Sequence, residues 1–314
     1  MIRHLHPTDT PSLLQFKQAA GADEVFTLGQ ALSGGWHTFP LMKYTSIALS
    51  PRAWQGCWVK TRLARVQAVL RAGQRSGPLA WELSDMFLAK NHRSVAGEVL
   101  EQLSFPAGAS GARRIFLRLP VGSEMFDIAR SAGYQPAYTE NVFRAESAND
   151  ILLRAGTVAD GLTLTQASED DRPDMYRLYC ATVPIETRSR IGQTMDEWVA
   201  SRERVGRKRR ELVVSSGDSR QLMASVQTSD TAAGRYFSVT CRNDSSCGYE
   251  SLIAVGVGQA GDKPVATLVP SYDVRQAEML QGLGFTLDAS YDVMVKTLAV
   301  PVVKTVPGLV TAGP

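Results

Sequence analysis

The sequence predicts an α+β protein in which one order of strands and helices is laid down twice. Three observations carry that expectation. The chain has 314 residues, enough for two domains at roughly 150 residues each. Strand-like and helix-like runs follow one another in the same order in both halves. Two polar turns also match in register: Asn91-His92-Arg93-Ser94-Val95-Ala96 and Asn243-Asp244-Ser245-Ser246-Cys247-Gly248 repeat Asn and Ser at a spacing of 152 positions.

Each half opens with a short alternating strand, Ile2 to Leu5 or Leu162 to Thr165, and a polar start that feeds an apolar-periodic helix. Asp9-Thr10-Pro11 leads into Leu13, Leu14 and Phe16, while Glu169-Asp170-Asp171 leads into Met175, Leu178 and Tyr179. Strand-like stretches joined by turn residues come next, Arg65 to Arg71 and Leu79 to Leu88 in the first half. Their counterparts are Glu211 to Val214, Gln221 to Gln227 and Arg235 to Cys241, and each set is expected to form an antiparallel meander.

A helix leaves each polar turn, through Val99, Leu100 and Leu103 or through Leu252, Ile253 and Val257. An apolar strand ending in proline follows, Ile115 to Pro120 and Val265 to Pro270. Beyond the prolines lie the helices Ser123 to Ala132 and Asp273 to Leu283, each stopped by a glycine suited to a left-handed cap, Gly133 or Gly284. A last strand, Ala137 to Phe143 or Ser290 to Leu298, is expected to close each copy. The domains are therefore expected at 1–148 and 161–299, with a linker at 149–160 and a Pro/Val/Gly-rich tail at 300–314.

Composition narrows the function classes. With 44% apolar and 21% charged residues, the chain reads as folded rather than disordered or fibrous. No apolar run approaches the ~18 residues of a membrane span, and the start lacks the apolar stretch of a signal peptide, which points to the cytoplasm and away from the membrane. Cys57, Cys180, Cys241 and Cys247 form no CxxC pair, so they read as reduced packing residues and no metal is expected. A net charge of +3 gives no case for nucleic acid, although 202–210 (RERVGRKRR) is locally basic. That stretch reads as a solvated loop, or as a surface for a phosphate-bearing ligand or a partner.

This order of elements, over nearly the whole chain, resembles the GNAT acyltransferase family in two tandem copies. In that family the turn after the fourth strand reads Gln/Arg-x-x-Gly-x-Gly/Ala, so that backbone N–H groups and a helix N-terminus hold the coenzyme A pyrophosphate. The first copy has Asn91 and Ser94 in place of Gln/Arg and Gly, and keeps Ala96; the second has Asn243 and Ser246, and keeps Gly248. His92 and Arg93 make the first turn the more cationic, whereas Asp244 puts a negative charge in the second. The resemblance therefore implies acetyl-CoA as co-substrate, held mainly by the first domain through Phe87, Leu88, Asn91, His92, Arg93, Ser94, Val95, Ala96 and Gly97, with an amine on a small molecule or peptide as acceptor.

Transfer of an acyl group from a thioester to an amine needs a base for the amine and an acid for the thiolate. The family commonly takes the base from a central strand, which points to Glu82, the better placed, and Asp85. The acid is commonly a tyrosine in the last helix, but Ala129 and Leu280 stand there, with Tyr134, Tyr138 and Tyr272 nearby. The second half has Gly234 at the offset matching Glu82. Trp36, Phe39, Tyr44, Trp54 and Trp58 mark an acceptor pocket or plain packing, and His37 among them reads as a base or as a hydrogen-bonded structural residue. A GNAT-fold binding or regulatory protein without turnover, and a docking module using the basic stretch, stay open beside the transferase.

Overall fold

The computed structural model describes residues 2–34, 37–50, 56–90, 94–155, 162–216, 221–242, 248–258 and 260–299. The first half runs β1 (Ile2–His4), α1 (Thr10–Ala19), α2 (Leu28–Ser33), α3 (Leu41–Leu49), β2 (Cys57–Arg62), β3 (Arg65–Gln74) and β4 (Ala80–Leu88). It continues through α4 (Val95–Gln102), α5 (Ser104–Ala109), β5 (Arg114–Pro120), α6 (Met125–Ser131) and β6 (Gln135–Ala145). After α7 (Ala148–Ala155), the second half repeats the order as β7 (Leu162–Gln166), α8 (Arg172–Thr182), α9 (Ile185–Ile191), α10 (Met195–Ser201), β8 (Arg207–Ser216), β9 (Leu222–Thr231) and β10 (Gly234–Cys241). It ends with α11 (Tyr249–Val257), β11 (Val265–Pro270), α12 (Val274–Gly282) and β12 (Thr286–Thr297).

All described strands join one sheet, in the order β1-β2-β3-β4-β5-β12-β6-β11-β10-β9-β8-β7. Neighbours are antiparallel except β4 with β5 and β10 with β11, the two parallel pairs that follow the repeat. Each last strand was expected to close its own copy; instead the two are exchanged. β12 lies between β5 and β6, while β6 lies between β12 and β11, with Tyr291 opposite both Pro120 and Glu140. The exchange gives every strand edge at the junction a partner, so that only β1 and β7 remain as edges.

One core forms where α4 and α6 cover the first half of the sheet, uniting Leu70, Leu83, Met86, Val99, Leu100, Ile115 and Leu117. Its counterpart joins Val226, Phe237, Leu252, Ile253, Val265 and Leu280. Gly133 and Gly284 sit at φ +89° and +96°, the left-handed caps expected after α6 and α12.

Three local expectations change. The stretch expected as linker contains α7, because Ala148, Ile151 and Ala155 recur on one helical face and are buried in the second core. Arg207–Arg210, read as loop, opens β8. Cys57–Arg62, inside the aromatic-rich segment, is a strand that pairs with β1 and β3. No helix among the described residues is long and apolar enough to cross a membrane. The expected tail lies outside the described residues, as does Cys247; Cys57 and Cys241 are buried free thiols and Cys180 is a half-buried one.

Candidate active site

The site begins with a break in alternation on β4. Arg71 pairs with Asp85 but Ala72 pairs with Leu83, so Ser84 is an extra, bulged residue. Leu83 and Met86 both point into the α4 core, leaving Glu82, Ser84 and Asp85 on the opposite face, the one that carries α1 and α3. Ser84 Oγ donates to the Arg71 carbonyl at 3.0 Å, which holds the bulge.

Glu82 and Ser84 line a cavity of about 550 Å³. Its walls come from both halves: residues 27–29, Arg71 and Gln74 from the first, and Glu203, Arg204 and Val205 from the loop between α10 and β8. Glu82 belongs to a five-residue charge network. Arg75 Nη2 approaches Glu82 at 3.1 Å and Glu203 at 2.9 Å, and its guanidinium lies 3.9 Å from the centre of the Phe116 ring. Arg118 donates to Glu140 at 2.9 Å and Glu203 at 2.8 Å, and its Nη1 comes no nearer to Glu82 than 3.8 Å.

Three carboxylates thus share two guanidiniums, and their contacts are unequal. Burial raises the Glu82 carboxyl, Arg75 opposes the rise, and the Glu203 charge reinforces it. Burial also acts to raise Glu203, but Arg118 and Arg75 outweigh it and hold that group low. Of these two carboxyls, Glu82 is therefore the one suited to exchange a proton with a bound molecule.

Asp85, the second expected base, does not line that cavity. Lys43 Nζ lies 2.7 Å and Arg71 Nε 2.6 Å from its Oδ2, so it is held between two cations. Asp23 lies close by, fully buried, accepting the Met86 N–H at 2.8 Å and the Val25 N–H at 3.3 Å. Burial pushes its carboxyl up to about 8 despite those hydrogen bonds.

The residues expected around the coenzyme meet a feature the sequence did not announce. β4 and β5 pair only from Ala80 to Glu82, and beyond Glu82 and Phe116 the strands part. The chain's own residues 21–26 lie in that wedge: Gly21 N–H donates to the Leu88 carbonyl at 2.9 Å, Glu24 N–H to Met86 at 3.0 Å and Phe26 N–H to Arg118 at 3.0 Å. Phe87 and Leu88 turn their side chains into the cores, so only their backbone is available to a ligand, and the Leu88 carbonyl is already bonded. Ser94 precedes α4 without capping it through its side chain, Ala96 is buried, and Val95 and Gly97 belong to the first helical turn. Asn91, His92 and Arg93 lie outside the described residues. At the mouth of the wedge a cavity of about 520 Å³ is lined by Leu88, Lys90, Gly21 and residues 120–124.

In the second half the last parallel pair, Tyr236 with Ala266, takes the place of Glu82 with Phe116. Strand pairing thus aligns Tyr236 with Glu82, where the simple offset gave Gly234. Tyr236 is buried under Phe26, Leu28 and Leu32, so this half offers no carboxylate there. Ala129 and Leu280 are buried. Tyr134 is buried and Tyr138 packs edge-on against Tyr272 with ring centres 5.9 Å apart; burial raises all three phenols, which hold their protons tightly. Phe39, Tyr44 and Trp58 are core residues, and Trp36 and Trp54 lie outside the described residues. His37 gives its carbonyl to the Asp23 N–H. Among the described residues no cluster suits a metal ion.

No family model and no curated protein matches this chain. Solved structures do. A GCN5-related N-acetyltransferase from Sphaerobacter thermophilus superposes with a TM-score of 0.55 at 15% identity, covering 95% of each chain. A tandem GNAT protein from the clavulanic acid biosynthesis pathway, solved without AcCoA, gives 0.51 at 12% identity over 95% of this chain and 98% of its own. This chain has the GNAT fold in tandem. A functionally unknown conserved protein from Staphylococcus epidermidis adds a TM-score of 0.52 at 13% identity, over 74% of this chain and 92% of its own. The tandem fold accounts for the two parallel strand pairs, one in each half. Glu203, Arg118, Glu140 and Arg75 belong to no motif in the sequence; the one signal was Arg118, a charge inside the apolar run Ile115 to Leu119.

Proposed function

We propose that the chain is an acyl-CoA-dependent N-acyltransferase whose acceptor amine enters the cavity between the halves and loses its proton to Glu82. The observation that supports this most is the position of Glu82: it lines that cavity, is raised by burial, and has longer ion-pair contacts, 3.1 and 3.8 Å, than Glu140 or Glu203. A carboxyl raised above its ordinary value is a stronger base toward an amine proton than a free one. The coenzyme enters at the wedge mouth near Lys90, with its diphosphate toward the 94–97 helix start. Its extended diamide arm replaces residues 21–26, whose bonds to Met86, Leu88 and Arg118 are of the kind an amide chain makes on an open strand edge. On this reading Phe87, Leu88 and the 91–97 turn serve through their backbone, and the helix start favours negative charge.

A second reading is a GNAT-fold binding protein without turnover. It is favoured by the anchoring of 21–26, where Asp23, Val25 and Phe26 are all buried. One experiment separates the two: acetyl-CoA is supplied with a panel of primary amines and free thiol is followed. Thiol release that depends on both the amine and Glu82 establishes the transferase. A coenzyme-induced rise in melting temperature without release establishes the binding protein, and neither effect at millimolar acetyl-CoA removes coenzyme use altogether.

A further inference from the structure

Beside the Glu82 cavity lies a second one of about 310 Å³, which it meets at Glu203 and Arg204. Five arginines line it: Arg172, Arg202, Arg204, Arg209 and Arg210. Its two carboxylates are already engaged, Glu203 by Arg75 and Arg118, and Glu211 by Arg202. Arg172 pairs with Glu169 at 2.6 Å, whereas Arg204 and Arg209, which are exposed, have no carboxylate partner among the described residues. The backbone builds this convergence. The β8 to β9 register slips between Arg207 and Arg210, and Lys208 takes a left-handed φ of +49°, so that the adjacent Arg209 and Arg210 reach one cavity instead of opposite faces. Gly206, at φ +72°, permits the turn, since a side chain there would strike the Asp230 carbonyl. Arg202 is stiffened by its place 5.2 Å from the Trp198 ring centre.

We infer that this arginine cavity holds an oxyanion group, phosphate or carboxylate, carried by the acceptor whose amine faces Glu82. Planar guanidiniums grip such groups bidentately, and two of these have no ion-pair partner among the described residues. Naming the ligand as acceptor rests on the transferase reading; the anion site itself does not. The basic stretch 202–210 would thus select substrates, and acceptors lacking an anionic end would be poor ones.

Inorganic pyrophosphate and glutarate, titrated into the full chain without coenzyme, test this by melting temperature and calorimetry. Binding at low ionic strength that weakens with salt, and falls at least tenfold in an Arg204→Glu, Arg209→Glu double variant while Glu82→Gln retains it, is the expected result. Tighter pyrophosphate binding assigns a phosphorylated acceptor and tighter glutarate binding a carboxylated one. Absence of binding by both anions, or binding that the double variant leaves intact, overturns the site. Anion binding at the arginines without any thiol release defeats the transferase reading and leaves the anion site standing; thiol release with no anion binding does the reverse.

Discussion

Arg118, on β5 of the first half, donates to Glu203 in the second half at 2.8 Å and to Glu140 on the exchanged strand β6 at 2.9 Å, with only 1% of its side chain exposed. One guanidinium therefore ties the two repeats together at the floor of the candidate site. Arg118→Met would leave Glu82, Glu140 and Glu203 facing Arg75 alone. Breaking a buried ionic network from one side costs about 3–5 kcal/mol, and urea denaturation is expected to show a loss of that size. A loss under about 1 kcal/mol would mean that the network is well hydrated and does not bind the halves.

Glu82→Gln should act in the opposite sense on stability. Removing one of three carboxylates leaves two facing two guanidiniums, so the melting temperature is expected to hold or rise. Acyl transfer, by contrast, is expected to fall about 10²- to 10⁴-fold, the usual contribution of a general base. A variant that transfers normally would exclude Glu82 as the base.

Asp23 gives the wedge a pH dependence. Its carboxyl sits at about 8 in the folded chain against about 3.9 when unfolded. An acid raised on folding stabilises only while protonated: its contribution is full below the unfolded value and is lost as pH climbs through the folded one. The melting temperature is thus expected to decline from roughly pH 4 to pH 8, and Asp23→Asn, which keeps an acceptor for the Met86 N–H, should flatten that decline. Parallel profiles for the two proteins would show that Asp23 is ionised in the fold.

The exchange of β6 and β12 makes the halves interdependent. Expressed alone, residues 1–148 keep β5 and β6 but lose the β12 that joins them, and residues 161–299 lose the β6 between β11 and β12. Each fragment is expected to lack the dispersed amide NMR spectrum of a folded domain, with dispersion recovered only on mixing. A well-dispersed spectrum from either fragment alone would show that the exchange is dispensable.

Local chemistry wrote the order of elements into the sequence, because period-two and period-3.6 apolar patterns, the Gly133 and Gly284 caps and the proline strand ends act over a few residues. The doubling, and the placing of Glu82 on the strand before the polar turn, were legible on the same grounds. Which strand pairs with which was not, since β6 and β12 pair through backbone groups that every residue carries, and the exchange is settled only when both halves pack together. The same holds for the site. Glu203 and Arg118 are 85 positions apart in the chain, and the filling of the wedge by residues 21–26 depends on backbone hydrogen bonds that leave no side-chain signature. Tertiary structure alone decided these, because the electrostatic setting of a carboxylate is fixed by the charges folded around it, whatever its neighbours in sequence.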